Sequence, residues 1–143
     1  MTGRTNFKKI PPEPVATEEE EQIAVMQWAA LFTHVYPELA LLHHIPNGGK
    51  RGKREAIRFQ AMGVKPGIPD LFLPAARGRW HGLYIEMKRK GGCLSTEQKR
   101  LHPLLAAQGY AVCVCFGADQ AIEAVKGYLC LDKCDEKLNN SQD

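Results

Sequence analysis

Three residues in the middle of the chain have the types and spacing for chemistry at a charged centre: Asp70, Glu86 and Lys88. Glu86 and Lys88 flank Met87 in "GLYIEMKR", a run that otherwise reads as a buried strand. Side chains two apart in a strand share a face, so the pair projects together while Ile85 and Met87 point the other way. Packing alone does not select such charges, because each is costly to desolvate unless paired or bound to a metal. Glu-x-Lys taken alone is a common triplet and equally suits an exposed strand end. Asp70 shifts the balance. It opens the preceding apolar run "PDLFLP", where Pro69 fixes an extended approach and removes a competing N–H. A hairpin through "AARGRWHG" lays that run beside residues 83–89. Two carboxylates brought together repel unless a cation lies between them, and oxygen ligands suit Mg2+ or Mn2+ better than zinc. Lys88 would then offer positive charge to a phosphate or an attacking hydroxide.

A second segment is Asn47-Gly48-Gly49-Lys50-Arg51, followed by Lys53 and Arg54. Glycines let backbone N–H groups approach phosphates closely, and the four basic side chains supply counter-charge. An ordinary turn with solvated lysines explains the segment equally well in isolation; contact with DNA is favoured only if the carboxylate site is that of a nuclease. No zinc-finger or helix-turn-helix signature is visible, so base-specific reading is not indicated. None of the five histidines is required for this chemistry. His43 and His44 alternate across a strand, which makes a poor chelate, and one packed and one exposed ring is expected.

The elements that must position these residues follow from periodicity and punctuation. Residues 1–16 read as a proline-rich, disordered arm. Thr17 caps a helix whose first turn carries glutamates 18–21, where the helix dipole favours acids. Ile23, Met26, Ala30, Trp28 and Leu31 give its apolar stripe, and Pro37 stops it. "LALLHHI" (39–45) is expected to be a strand ending at the "PNGG" loop, and "KREAIRFQAM" a helix closed by Gly63. After the two strands of the hairpin, Ser95 caps a helix that contains Pro103 and stops at Gly109. "YAVCVCF" is expected to be a central strand burying one thiol face, and "ADQAIEAVKGYL" a final helix.

Composition bounds the class. The chain has 143 residues, enough for one ordinary domain, with 44% hydrophobic and 24% charged residues, as in globular proteins. No run approaches membrane-helix length and the N-terminus has no apolar signal core, so a cytoplasmic protein is expected. Five cysteines without framework or paired C-x-x-C spacing read as reduced and structural. The net charge is only +3, but acids gather at 18–21 and in the tail while "GGKRGKREAIR" and "KRKGG" are basic, a segregation that suits one face for a polyanion.

The pieces Pro69-Asp70, Glu86-Met87-Lys88, Ser95 to Gln98, and the strand after Gly109 together resemble the VRR-NUC family of the PD-(D/E)xK nuclease superfamily. The resemblance spans roughly residues 18–128, the nuclease domain being placed at 17–131 with a flexible tail over 132–143. It implies a restriction-endonuclease-like α/β core: a central mixed β-sheet flanked by helices in the order α-β-β-β-α-β. It further implies divalent metal, Mg2+ or Mn2+, on Asp70, Glu86 and the backbone carbonyl of Met87, with Lys88 orienting the water and steadying the phosphate. The family also uses a glutamate of the first helix, here Glu20 or Glu21, and Gln98 resembles the family's supporting glutamine. Stand-alone domains of this size resemble virus and bacterial versions that look like dimeric resolvases of four-way DNA junctions. The expectation is therefore a homodimeric, structure-selective DNA endonuclease in a bacterial or phage-infected cytoplasm, with C-terminal helix "AIEAVKGYLCL" able to serve either as dimer surface or as cover for the sheet. A flap or general endonuclease, or a catalytically silent DNA-binding module on the same fold, are the competing readings.

Overall fold

The computed structural model describes residues 14–46 and 52–132. The first helix, α1 (Glu18–Phe32), begins with a reciprocal cap. The Thr17 hydroxyl accepts from the Glu20 N–H at 3.2 Å, and the Glu20 carboxylate accepts from the Thr17 N–H at 2.8 Å. Its buried face is Val25 and Ala29, one turn apart; of the expected stripe, Met26 and Trp28 pack against the core, while Ile23, Ala30 and Leu31 are exposed.

The expected strand over 39–45 is not formed. Pro37–Leu41 makes a turn of 3-10 helix and only His43–His44 pairs, as β1. Pro37 fits a helical first turn, and Leu39 and Leu42, both buried, stand three apart, which is the 3-10 period rather than the strand period. Both histidines are exposed, not one of each, because β1 lies at the edge of the sheet. The helix after the loop, α2 (Lys53–Ala61), forms as expected, and none of its side chains is buried.

The hairpin pairs β2 (Leu71–Leu73) with β3 (Leu83–Lys88), Leu71 opposite Ile85 and Leu73 opposite Leu83. Helix α3 (Thr96–Ala107) then returns the chain so that β4 (Ala111–Phe116) runs parallel to β3. The sheet order is β1-β2-β3-β4, so β4 is an edge strand rather than the central one expected, while β3 is buried as its sequence suggested. One small-thiol face does form: the Cys113 and Cys115 sulfurs lie 3.7 Å apart, Cys115 buried and Cys113 half-buried, and all four described cysteines are free. Helix α4 (Ala118–Leu129) closes the fold.

This four-stranded mixed sheet, flanked by helices, has two unlike faces. Leu71, Leu73, Leu83, Ile85 and Met87 are buried in the core cluster with Val25 and Ala29 of α1 and Ala121, Val125 and Tyr128 of α4. By strand alternation, Asp70, Phe72, Tyr84, Glu86 and Lys88 share the opposite face, over which α3 passes. At the hairpin tip, buried Arg77 pairs with Glu38 and donates to the carbonyls of Ala76 at 2.8 Å and Leu129 at 3.4 Å, while the Tyr128 hydroxyl donates to the Ala75 carbonyl at 2.6 Å.

Candidate active site

The site lies at the C-terminal end of β3. Its centre is Glu86, only 1% exposed although charged in type. Its Oε1 accepts from the Lys88 ammonium at 2.8 Å and from the Gln98 amide at 2.5 Å. The Gln98 orientation is not arbitrary: its own Oε1 accepts from the Ser95 N–H at 2.8 Å as half of the α3 capping box, which leaves the NH2 group to face Glu86. A local sequence signal for starting a helix thus also aims a side chain across to the sheet.

Asp70 reaches the same place from the neighbouring strand. Its Oδ2 accepts from the Met87 N–H at 2.7 Å, and its carbonyl accepts from the Ile45 N–H at 2.8 Å and sits 2.7 Å from His44 Nδ1. Gly67, at φ +92°, lets the "GIPD" segment run directly under the first turn of α3: a Cβ there would stand 2.7 Å from the Glu97 carbonyl carbon. No side chain fits, so the glycine brings the Asp70 strand and the Gln98 helix together.

The electrostatics follow from this crowding. Burial raises the Glu86 carboxyl to about 7; the Lys88 hydrogen bond opposes the rise, and the charge of Asp70 adds to it. Burial by itself lowers the Lys88 ammonium, but the hydrogen bond and charge of Glu86, then Glu18 and Asp70, outweigh it and leave Lys88 raised. Lys88 is therefore an ammonium at neutral pH and acts as a cation rather than as a proton acceptor.

A VRR-NUC domain family model matches residues 16–119. The chain belongs to the VRR-NUC family. Among solved structures it is similar to a "VRR_NUC domain protein", with 34% sequence identity, a TM-score of 0.71, and coverage of 84% of this chain and 93% of the other. No curated protein matches it. The VRR-NUC domain carries a nuclease-type fold, and its expected motif residues fall as described: Asp70, Glu86, Lys88 and Gln98 converge on one spot.

The glutamates of the VRR-NUC domain's first helix are distributed differently. The Glu20 carboxylate is folded back on the Thr17 N–H and hydroxyl, which lowers its pKa. The Glu21 carboxylate accepts from the Ala118 N–H at 2.6 Å, joining α1 to the start of α4. Glu18 accepts from the Arg89 N–H at 3.2 Å and is the one whose charge bears on Lys88. Sequence reasoning passed over it because four successive glutamates offer no local mark of which one faces β3. His102 was also missed. It is 8% exposed and lies on α3 one turn beyond Gln98, its Nε2 3.7 Å from Glu86 Oε2. The available signal was its i, i+4 spacing from Gln98 on one helix face.

The residues present fit a hard divalent cation. Glu86 Oε2 is buried with no hydrogen-bond partner, and beside it stands a second carboxylate. Among the described residues no three of His, Cys, Asp and Glu converge as a metal cluster, so the protein offers two carboxylates and, from the same strand, the Met87 carbonyl. Mg2+ characteristically accepts such a sparse set and completes its shell with water and phosphate oxygens. Of the segment assigned to DNA, Asn47, Gly48, Gly49, Lys50 and Arg51 lie outside the described residues, while Lys53 and Arg54 are exposed on the first turn of α2. No helix among the described residues is long and apolar enough to cross a membrane.

Proposed function

We propose that this VRR-NUC domain is a Mg2+- or Mn2+-dependent DNA endonuclease that acts as a homodimer on four-way junctions. The observation that carries the reading is the buried Glu86 carboxylate, fixed on one oxygen by Lys88 and Gln98, open on the other, and set against Asp70. Asp70, Glu86 and the Met87 carbonyl would hold the cation, which when bound supplies a hydroxide nucleophile and neutralises charge on the phosphate. Lys88, kept protonated by its neighbours, steadies the phosphate oxygens. Gln98 holds Glu86 in place through an amide that the helix cap has already oriented. Glu18, acting on Lys88, is the first-helix glutamate that this geometry favours in place of Glu20 or Glu21.

A homodimer matches the two-fold symmetry of a junction and permits paired nicks. Helix α4 turns its apolar side to the sheet and α1. The exposed apolar residues Leu31, Phe32 and Val35 at the end of α1 are therefore the surface this reading assigns to the second copy. Lys53 and Arg54 supply counter-charge to the DNA backbone.

The test is cleavage of a labelled immobile junction in Mg2+ or Mn2+, beside linear duplex and a flap, for wild type, Glu86→Ala and Lys88→Ala. Paired symmetric nicks that both variants lose are expected, with a dimer in sedimentation at micromolar concentration. Preferred cutting of the flap would make it a flap endonuclease. Binding without cutting in every metal would make it a DNA-binding module.

A further inference from the structure

We infer that His102 is a positioning residue for Glu86: its Nε2–H donates to Glu86 Oε2, completing a three-donor grip that leaves one lone-pair site of the carboxylate for a metal. The inference deepens the nuclease reading and rests on it. It starts from two atoms. Among the described residues, Glu86 Oε2 and His102 Nε2 are the buried side-chain polar atoms without a hydrogen-bond partner, and they face each other at 3.7 Å. A buried polar atom without a partner carries a desolvation penalty, and two that face each other have an evident remedy. A carboxylate oxygen only accepts, so the remedy requires the imidazole tautomer with hydrogen on Nε2. Closing the gap by about 0.6 Å brings the atoms within ordinary hydrogen-bond distance.

The position of His102 is set by the same helix that aims Gln98. The two residues are four apart on α3, so they form adjacent rungs over the Glu86 carboxylate. An ionised carboxylate offers about four lone-pair sites. Lys88 and Gln98 use Oε1, His102 uses one site on Oε2, and the last stays open. Such outer hydrogen bonds orient ligating carboxylates, and removing one typically weakens metal binding about 10–100-fold.

The experiment uses the whole chain without DNA. Mn2+ binding is followed by electron paramagnetic resonance of the free ion for wild type, His102→Leu and His102→Gln, and the imidazole nitrogens are observed by 15N NMR with and without Mg2+. The expected results are an N–H-bearing Nε2 that stays protonated with Mg2+, a loss of Mn2+ affinity of about 10–100-fold in His102→Leu, and recovery of most of it in His102→Gln, whose amide can donate. Thermal melts of all three confirm that the fold is kept. Unchanged Mn2+ affinity in a folded His102→Leu overturns the inference. So does an Nε2 that is bare and shifts on adding Mg2+, which would make His102 a ligand itself. A wild type that binds neither ion overturns the nuclease reading, and the hydrogen bond is then judged by the tautomer alone, a bare Nε2 overturning it as well.

Discussion

Arg77 and Glu86 are both charged residues buried on the same hairpin, 6% and 1% exposed, yet their surroundings differ. Arg77, at the tip, pairs with Glu38 and donates to two main-chain carbonyls, so its charge is answered within the protein. Glu86, at the strand end, has one oxygen answered twice and the other faced only by His102 at 3.7 Å, with Asp70 pressing a second carboxyl against it. The first arrangement joins the hairpin to the 3-10 turn and the end of α4. The second is costly in the isolated chain and would be relieved by the cation proposed for this site.

Exchanging the two kinds of residue should separate stability from activity. Glu86→Gln removes an unanswered buried carboxylate and is expected to abolish metal-dependent cleavage while leaving the melting temperature at neutral pH equal or higher. Arg77→Met should do the reverse: junction cleavage per folded molecule is kept, and stability falls by about 2–3 kcal/mol because Glu38 and the carbonyls of Ala76 and Leu129 lose a charged donor. Urea titrations beside cleavage assays check both. An Arg77→Met protein as stable as wild type would erase the contrast.

The pH dependence of stability sharpens it further. In the unfolded chain the Glu86 carboxyl titrates near its ordinary 4.5, and in the fold near about 7. Between those values the native state holds a proton that the unfolded state has released, so metal-free stability falls as pH rises through this window, by about 3 kcal/mol in all. With a chelator present, Glu86→Gln should flatten that slope and Arg77→Met should leave it unchanged. Metal must displace the same proton. Calorimetry at pH 6.5 in buffers of different ionisation enthalpy should show Mg2+ binding release about three-quarters of a proton, and almost none above pH 8.

How much of this was legible in the sequence follows the same division. Local signals were read correctly: the capping residues Thr17 and Ser95, the paired strands around "AARGRWHG", and the convergence of Asp70 with Glu86 and Lys88 all depend on neighbours in sequence or on alternation. What failed depended on tertiary placement. An apolar run cannot say whether it will be a centre or an edge strand, and β4 became an edge because α3 returned the chain outside β3. Leu39 and Leu42 fit a period of three as well as an apolar strand, and only Pro37 hinted at the first. Gln98 was legible as the family's supporting glutamine, but that α3 would lie across Glu86, and so bring His102 there, was not.

The smallest expected effect concerns the glycine that brings the two halves of the site together. Gly67 and Gly63 have nearly the same backbone, φ +92° and +94°, but different surroundings. At Gly63 a Cβ meets nothing within 4 Å, so Gly63→Ala should cost only the left-handed strain, about 1–2 kcal/mol. At Gly67 the Cβ would stand 2.7 Å from the Glu97 carbonyl carbon and 3.0 Å from the Gln98 nitrogen. Main chain cannot rotate away as a flexible side chain does, so Gly67→Ala must push the first turn of α3 off the hairpin, and Gln98 with it. Gly67→Ala should therefore lose more stability than Gly63→Ala in a urea titration, and it alone should also weaken Mn2+ binding. Equal Mn2+ affinity in both would mean that α3 is not fixed over Glu86 by this contact, and that the Ser95 cap and the returning strand are enough to keep Gln98 in place.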